Sequence, residues 1–468
     1  MIDLLLFTLL TQPVGIHQIE YYNYIDNAVF SSISQRPQEY IPLQTRINGM
    51  MKKYYGYCPY WIDTTCYQHF QMELLTHVAY FSVEIDPSTG ELGDIPNQDR
   101  FFIIRDLAHN HGTAVHMTFI IFGSSNVTTF LNNDTARQNA IFSMSEFLTN
   151  YGIEGVNIDF EFVLGSVRDS FNLFIHNLYQ AMIGHPGGRK ELYIASIAVP
   201  EWYPGYDVAY LADNCDGLFI MAYDFHWSGA SIAGPVSPCV PSSFWGQYCA
   251  AKSIGSYKEC GADASKLILG VPYYGYDWPT ESGDIGSNTT GSGVAVSYYS
   301  AFQNANTYGR LWDENSLTPW YRYYTTGWHQ CWYDDSVSLD IKFGMVNDSM
   351  IAGAGCWALG YDRDYDHLWN TVRRNFWDSL YVAEKENSFC PTGVFFRTIF
   401  SRELEISLKN SFQPYRITVY DITGRRMSEE YTGGGSIRVG SGLKPGVYIL
   451  FINDGVVEYR YKIIKLQN

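Results

Sequence analysis

Apolar and polar positions alternate strictly in one short stretch of the chain, GVNIDFEF at residues 155–162. Strand side chains point alternately to opposite faces, so this pattern predicts a strand with two different faces. One face is apolar, and the other carries Asn157, Asp159 and Glu161. That polar face either contacts water or points into an enclosed site. Two carboxylates in an enclosed site would be unfavourable unless they carried out chemistry.

Seven further strand-like runs lie between residues 53 and 362. Several are almost continuously apolar, which is typical of strands buried on both faces. In chain order, with the stretch above extended by one residue, the eight runs are KYYGYCPYW, THVAYFSVEI, TAVHMTFIIFG, GVNIDFEFV, LYIASIAVP, GLFIMAYDF, LILGVPYYGYDW and IAGAGCWALGYD.

Helical spacing of apolar residues appears between these runs. It precedes the fourth run over residues 140–151 and follows it over residues 171–182. Eight strands that alternate with helices predict an α/β fold, a (β/α)8 barrel. In such a barrel one strand face packs against the outer helices, and catalytic groups cluster at the carboxyl ends of the strands. Asp159 and Glu161 fall at that end of the fourth strand, which favours an enclosed site over a solvated face.

The barrel is predicted to span residues 51–385, with an inserted lobe at residues 279–350 between the last two strands. Before it, residues 1–20 contain a short apolar run without a preceding Lys or Arg and with Asp3 in its place, an imperfect signal peptide. That run is too short to cross a bilayer, and no other segment is a transmembrane candidate. Residues 21–50 form an N-terminal extension.

The alternating pattern changes after the segment AEKENSFCPTG. Residues 386–395 are predicted to be a linker and residues 396–468 a small β-sandwich. The stretch GVYILFINDGVVEYRYKII predicts a hairpin that turns at Asn453, Asp454 and Gly455. From Arg397 onward the net charge is +4, whereas the rest of the chain carries −21, so the C-terminal region is expected to be a separate unit.

Composition narrows the possible partners. The 468 residues are 46% hydrophobic and 17% charged, as in a globular protein, and the net charge is −17. This charge argues against nucleic acid and anionic membrane surfaces as partners, because phosphates require a basic face. Aromatic residues reach 16%, with 38 Tyr and 12 Trp. They can fill a core, and they also suit stacking on sugar rings.

The nine cysteines show no spacing that binds zinc, so neither a metal site nor a cofactor is expected. Cys58 with Cys66, and Cys239 with Cys249, are close enough in sequence for local disulfides. The odd count leaves at least one thiol over, and the pairing stays open.

Four of these segments resemble the signatures of the family 18 glycoside hydrolases, the chitinase family. EGVNIDFE is similar to the DGxDxDxE signature of the fourth strand, and MAYDFH to the M-x-Y-D motif of the sixth. GVPYYGYDW and GCWALGYD look like the seventh and eighth strands. The four occur in the family's order, and the resemblance covers residues from about 50 to 380. Details such as AGPVSP lean toward a branch that acts on bacterial cell wall and spore cortex.

The resemblance implies a retaining mechanism in which the substrate's N-acetyl group is the nucleophile. Glu161 would be the general acid, and Asp159 would accept a hydrogen bond from the acetamido N–H. Tyr223 would donate to the acetamido oxygen, and Asp224 would position the sugar and Tyr223. Trp357 would form the floor of the −1 subsite. Further substrate-binding positions are expected at Asn157, Tyr55, Phe81, Met221, His226 and Tyr274. The alternatives are that Tyr223 and Trp357 fill the core, that Asp224 caps a strand end, and that His226 is structural.

This sequence departs from the family signature at two positions. Glu154 replaces its first Asp, which is expected to be harmless at a strand start. Asn157 replaces its second Asp; it can donate a hydrogen bond to Asp159 but cannot accept its proton. The departure at Asn157 affects the transfer of protons along the acidic residues of the signature. The acid itself, Glu161, is retained.

The C-terminal pieces VYDITGRRM, GLKPGVYILFI and YKIIKL resemble the sorting domain of type IX secretion. The implied protein is a secreted or cell-surface hydrolase whose partners are chitin, peptidoglycan or a related glycan and the type IX machinery. The alternatives are a catalytically inactive, chitinase-like sugar-binding barrel, a carbohydrate-binding C-terminal sandwich, and a surface scaffold whose C-terminal domain binds partners.

Overall fold

The computed structural model describes residues 14–30, 40–46 and 49–377, and in the C-terminal region residues 394–396, 399–400, 403–408, 415–421, 425–433, 435–453 and 458–465. Two compact units divide the chain. One contains residues 1–47 and 52–376, and the other contains residues 48–51 and 377–468.

Eight parallel strands close into a barrel in the first unit, which confirms the predicted (β/α)8 fold. Each of the eight predicted runs contributes one barrel strand. These strands are β1 (Lys53–Pro59), β2 (His77–Glu84), β3 (Ala114–Ile121), β4 (Gly155–Phe160), β5 (Glu191–Ile197), β6 (Gly217–Met221), β7 (Leu267–Pro272) and β13 (Gly353–Trp357). Around the barrel the order is β1-β13-β7-β6-β5-β4-β3-β2.

Helices connect the barrel strands, and one precedes them. In the described part of the first unit they are α1 (Ile16–Tyr24), α2 (Gln98–Asn110), α3 (Ser124–Leu131), α4 (Asp134–Tyr151), α5 (Arg168–Ile183), α6 (Val208–Asp213), α7 (Ala250–Glu259), α8 (Tyr298–Tyr308), α9 (Ser336–Asp348) and α10 (His367–Phe376). Short 3₁₀ turns lie at Ile25–Asn27, Thr64–His69, Met72–Leu74, Gly165–Val167, Pro200–Trp202 and Ala264–Lys266. No helix in the described parts of the chain is long and apolar enough to cross a membrane.

Local sequence explains where the helix that precedes β4 begins and ends. The Asn133 side chain caps α4 by accepting a hydrogen bond from the Ala136 N–H at 3.1 Å. The helix ends at Gly152, whose φ of 63° lies in the left-handed region that glycine adopts without steric penalty. After three more residues the chain enters β4 between β3 and β5.

The two faces of β4 separate as the alternating pattern predicts. Phe160 packs against the outer helices, with its ring 5.6 Å from that of Phe130 in α3 and 5.8 Å from that of Phe174 in α5. The opposite face points into the barrel, where Asn157 and Asp159 are fully buried. The polar face of this strand therefore does not contact solvent.

The predicted seventh strand divides into two. β7 ends at Pro272, and the remainder becomes β8 (Tyr274–Thr280), which leaves the barrel and joins the inserted lobe. The lobe is a five-stranded sheet ordered β10-β11-β12-β8-β9 that also contains β9 (Val294–Ser297), β10 (Leu311–Asp313), β11 (Thr318–Tyr324) and β12 (Trp328–Trp332). The continuous apolar run hides this break because β8 is itself largely buried.

The second unit is all-β in its described residues. A three-stranded sheet ordered β14-β16-β19 and a five-stranded sheet ordered β15-β21-β20-β17-β18 share one hydrophobic core. The strands are β14 (Val394–Phe396), β15 (Ile399–Phe400), β16 (Leu404–Leu408), β17 (Tyr415–Asp421), β18 (Arg426–Thr432), β19 (Gly435–Val439), β20 (Gly446–Asn453) and β21 (Glu458–Lys465). β20 and β21 pair antiparallel, as the hairpin prediction requires. The predicted turn residues Asp454 and Gly455, and most of the predicted linker, lie outside the described residues.

The described cysteines form no disulfide. All eight of them are free thiols, including both pairs that are close in sequence, and Cys390 lies outside the described residues. The local disulfides that the spacing allowed are therefore absent from this structure.

Candidate active site

The site is built on the carboxyl end of β4. Asn157 and Asp159 are completely buried inside the barrel, and Glu161 follows the last strand residue with only 2% of its surface exposed. The next residue, Phe162, has a φ of 58°, in the left-handed region that aromatic residues seldom adopt. Such backbone strain is concentrated at functional sites, where surrounding structure holds it in place.

Asn157 is hydrogen-bonded to a tyrosine of β1. The Tyr57 hydroxyl donates a 3.1 Å hydrogen bond to its Oδ1. Its Nδ2 is buried and has no partner, and the same is true of Asp159 Oδ1. Asn157 and Asp159 lie two positions apart on one strand face, so their side chains are neighbours.

Tyr223 and Asp224 follow β6 and face the same space. Tyr274 donates a hydrogen bond to Asp224 Oδ1, and the Ile16 N–H donates to Oδ2 at 3.0 Å. Burial raises the pKa of Asp224 to about 7, and the hydrogen bonds from Tyr274, Ile16 and Tyr276 partly oppose that rise. The φ of Asp224 is 59°, so the chain turns sharply there.

Trp357, the last residue of β13, forms the floor of the site and is fully buried. The Phe81 ring stands edge-on to it, with 4.8 Å between centroids. The peptide bonds after Phe81 and Trp357 are both cis. Met221 lines the neighbouring wall. The structure thus brings together Asn157, Asp159, Glu161, Tyr223, Asp224, Trp357, Phe81, Met221 and Tyr274, nine of the residues that the sequence selected.

Glu161 has the electrostatic environment of an acid. Burial raises its pKa well above the usual value, and the neighbouring charges of Asp159 and Asp224 raise it further. Its Oε1 is buried without a hydrogen-bond partner. Oxygen atoms of Asp159 and Glu161 lie within 4.8 Å of one another, so both carboxyl groups border the same small volume. A protonated Glu161 can donate to an oxygen placed beside it.

Helix α1 occupies that volume. His17 is fully buried and lies face to face with Trp357, with 3.6 Å between ring centroids and an interplanar angle of 25°. Its Nδ1 is 2.6 Å from Asp159 Oδ2, and its Nε2 is 2.8 Å from the Tyr223 hydroxyl. The sequence patterns carried no signal for this, since residues 14–24 fall in a segment interpreted as signal peptide and N-terminal extension.

A cavity of about 290 Å³ remains open beside Glu161. The N-terminal segment forms one wall through residues 14–17, and aromatic residues dominate the others. Its remaining lining is Glu161, Phe162, Ile197, Ala198, Trp202, Tyr203, Met221, Tyr223, Asp224, Phe225 and Trp227.

Two of the selected residues lie away from this site. Tyr55 comes two residues before Tyr57 on β1 and therefore lies deeper in the barrel. Its ring stacks on that of Tyr193, with 5.0 Å between centroids. The residue of β1 that reaches the site is Tyr57, because only the carboxyl end of a barrel strand opens onto it. His226 bonds to the Pro235 carbonyl oxygen at 2.9 Å and is not among the cavity-lining residues. The structure gives it a loop-stabilising position.

A second cluster of polar groups lies at the amino end of the barrel strands. The Nε2 atoms of His77 and His116 are within hydrogen-bond distance of Glu191 Oε2, at 2.9 and 3.0 Å. Although burial opposes it, these bonds hold the pKa of Glu191 below its usual range. Spacing along the sequence could not show this group, since its members come from three different strands. The hydrogen bonds satisfy the three side chains without an ion.

The sequence profile of the glycosyl hydrolases of family 18 matches residues 54–362. The chain belongs to this family. The match begins in β1 and ends just after β13, so it covers all eight barrel strands and the inserted lobe.

Relatives of this family 18 chain include proteins of Bacillus subtilis. The putative sporulation-specific glycosylase YdhD is 30% identical over 260 residues, which are 53% of this chain and 56% of YdhD. The cortical fragment-lytic enzyme is 23% identical over 266 residues, which are 53% of this chain and 57% of the enzyme. The chain therefore spans little more than half the length of these relatives.

The barrel also resembles solved structures of the family. A family 18 chitinase from Cycas revoluta, a double mutant in complex with (GlcNAc)4, superposes with a TM-score of 0.62 at 22% identity. The alignment covers 69% of this chain and 99% of the chitinase. At that identity the likeness establishes the fold and leaves the substrate to be argued from the site.

Proposed function

We propose that the barrel is a retaining glycoside hydrolase that cleaves β-1,4 bonds of N-acetylglucosamine-containing glycans with the help of the substrate's own acetamido group. The observation that carries this proposal is the enclosure of Glu161, Asp159 and Tyr223 above the flat ring of Trp357. The set contains an acid whose pKa is raised by burial, a hydrogen-bond acceptor, a hydroxyl donor and a stacking surface for one sugar.

The first step breaks the glycosidic bond. Glu161 gives its proton to the glycosidic oxygen, and the bond between that oxygen and the anomeric carbon breaks as the leaving sugar takes the electron pair. The carbonyl oxygen of the acetamido group attacks the anomeric carbon from the opposite face, which forms a cyclic oxazolinium ion. A second carboxylate nucleophile is not needed.

Asp159 and Tyr223 hold the acetamido group for this attack. Asp159 accepts from its N–H, which increases the electron density on the carbonyl oxygen and stabilises the positive charge of the ring that forms. The Tyr223 hydroxyl donates to the acetamido oxygen and fixes its direction. In the second step the Glu161 carboxylate takes a proton from water, the water oxygen bonds to the anomeric carbon, and the ring opens with net retention.

The substrate class follows from the demand for an acetamido group and from the relatives. Chitin and peptidoglycan both contain N-acetylglucosamine, and a cortical fragment-lytic enzyme and a chitinase are among the proteins that resemble this chain. Both glycans are therefore candidates, with the N-glycan core as a third.

A product analysis tests the proposal. The full chain and its His17→Ala variant are incubated with chitin oligomers, peptidoglycan and a glycoprotein, and products are identified by mass, with Glu161→Gln in each form as the matched control. Reducing-end N-acetylglucosamine products that the controls lack are expected. Binding of oligomers without any product from either form would identify the chain as a sugar-binding barrel instead.

We infer further that the C-terminal β unit directs export through type IX secretion. Described parts of its three segments VYDITGRRM, GLKPGVYILFI and YKIIKL lie in β17, β20 and β21, which are the adjacent central strands of the five-stranded sheet. The side chain of Lys465, near the end of β21, is buried and bonds to the Gly440 carbonyl oxygen at 2.7 Å. The closing motif is thus an integral part of this fold.

A further inference from the structure

We propose that helix α1 is an intramolecular inhibitor that fills the −1 subsite, so that the chain that retains residues 1–20 is a latent hydrolase. This inference rests on the proposed function, since it identifies what the enclosed site of that hydrolase holds. Four independent contacts between the N-terminal segment and the site support it.

The first contact is the imidazole of His17, which matches an acetamido group in its polar atoms. A carboxylate only accepts hydrogen bonds, so in the tautomer that fits this site Nδ1 carries the ring proton and donates it to Asp159 Oδ2 at 2.6 Å. Nε2 then accepts from the Tyr223 hydroxyl at 2.8 Å. The acetamido N–H and carbonyl oxygen need the same two partners.

The second contact is the stack on Trp357. At 3.6 Å between centroids, no sugar ring can lie between His17 and the indole. Glu20, one turn later on the same helix face, accepts a hydrogen bond from Trp357 Nε1 at 2.8 Å. The floor of the subsite is therefore covered and its one polar atom is occupied.

The third contact places backbone beside the general acid. Gly15 donates a backbone hydrogen bond to the Glu161 carboxyl, and a Cβ at this position would collide with that group. The glycosidic oxygen must approach Glu161 in the same place to receive its proton. The fourth contact is the Ile16 N–H on Asp224, which uses the second carboxylate of the site.

These contacts exclude His17 as part of a working catalytic site. It lies where the reacting sugar must stack, and it occupies Asp159 and Tyr223 that the acetamido group requires. The open cavity beside Glu161 lies away from Trp357 and is lined by Trp202, Tyr203 and Trp227. We assign this cavity to the part of the cleft that binds the leaving group. That part therefore stays open in the latent chain.

The helix is suited to release. It has nine residues and no side-chain cap at its N-terminus, and isolated helices of this length are marginal in water. Its folded form therefore depends on the cleft. Beyond the subsite it is held by a stack of Tyr24 on Trp61 at 4.9 Å and by a 3.3 Å bond from the Tyr21 hydroxyl to Glu84.

The test compares the full chain with His17→Ala and with Asn23→Ala, which changes an exposed residue of the same helix. Each form is titrated with N-acetylglucosamine-thiazoline, a stable mimic of the oxazolinium ion, and assayed on a chitin oligomer. We expect His17→Ala to bind the mimic at least tenfold more tightly and to hydrolyse faster, whereas Asn23→Ala behaves as the wild type. Equal affinities in all three forms, or weaker binding by His17→Ala, would overturn the proposal.

A readout without ligand separates this proposal from the proposed function. Amide hydrogen exchange over residues 16–24 should show protection in the wild type that is lost in His17→Ala. If no form binds or hydrolyses the sugar but the protection is lost as expected, the docked helix stands and the substrate assignment fails. An unprotected helix in the wild type would overturn the inhibitor whatever the activity.

Discussion

At the scale of single residues, the site depends on groups whose ordinary behaviour is changed by burial. Glu161 is an ordinary acid in sequence, but enclosure raises its pKa well above the usual value, with the charges of Asp159 and Asp224 adding to the effect. A general acid must be protonated to act. The rate should therefore fall as the pH rises through this elevated pKa.

Glu161→Gln tests this role. The amide keeps the shape and cannot give a proton to the leaving oxygen, so turnover should fall by at least about 100-fold while binding of the oligomer survives. The variant should be compared with the parent in the His17→Ala background as well, so that latency does not mask the loss. Near-normal hydrolysis in both backgrounds would remove Glu161 from its role.

Asn157 is a second residue whose effect is local. Its unpartnered Nδ2 and the unpartnered Asp159 Oδ1 are both buried, which is unfavourable in a closed interior. Once His17 leaves Asp159, that carboxylate can turn toward the amide.

Asn157→Asp places a carboxylate where the amide was. Like charges two positions apart on a strand, roughly 6.6 Å along it, disfavour ionising together. We expect activity to be retained and the acidic limb of the kcat profile to move to higher pH, measured on one soluble oligomer. Superimposable profiles would make Asn157 a packing residue.

At the scale of elements, α1 and the barrel are coupled through a buried carboxyl. Burial raises the pKa of Glu20 from 4.5 to about 7, hydrogen bonds from Tyr361 and Trp357 oppose the rise, and the charge of Asp224 adds to it. Tyr24, Tyr276 and His17 also lie near it. A carboxyl with a raised pKa favours the docked state while protonated, so docking is strongest below pH 4.5 and weakens toward pH 7. The difference corresponds to roughly 3 kcal/mol.

Docking of α1 should therefore be pH-dependent. Amide protection of residues 16–24, corrected for the intrinsic exchange rate, is expected to be greater at pH 5 than at pH 8. Glu20→Gln should reduce that difference, because its side chain stays neutral, although Asp224 and Glu161 act in the same direction and leave a residual slope. Protection that rises with pH would contradict the direction expected from a raised carboxyl pKa.

At the scale of the whole molecule, the chain consists of two compact units. The barrel contains the complete candidate site, and the C-terminal sheets have their own core of buried residues such as Ile417, Val419 and Leu450. Each unit is compact, so their roles can be tested separately by deletion.

Deleting residues 396–468 should leave the hydrolytic activity of the barrel unchanged and abolish export in a host with type IX secretion. Export is measured by the amount of protein in the medium, and a thermal melt of the shortened chain checks its folding. Normal export combined with weaker glycan binding would instead identify the C-terminal unit as a binding module.

Local patterns in the sequence were enough for the barrel, for the presence of α4 and α5 on either side of β4, and for the candidate acids of the site. Period-two alternation placed Asn157, Asp159 and Glu161 on one inward face, and strand ends are where a barrel opens. The same patterns could not give depth along a strand, which is why Tyr55 was selected and Tyr57 was not. They also could not separate β7 from β8, since both are apolar and adjacent.

What occupies the cleft was decided by tertiary structure alone. His17 meets Asp159 across 142 positions of sequence, and Glu20 meets Trp357 across 337. No periodicity connects such distant residues, and the nine residues of α1 carry little helical signal of their own. The sequence thus determined the candidate acids Asp159 and Glu161, because they follow from spacing within one strand, and the family resemblance implied Tyr223, Asp224 and Trp357. Only the folded chain brings α1 onto those groups, because a helix with so little stability of its own is ordered by the surface on which it docks.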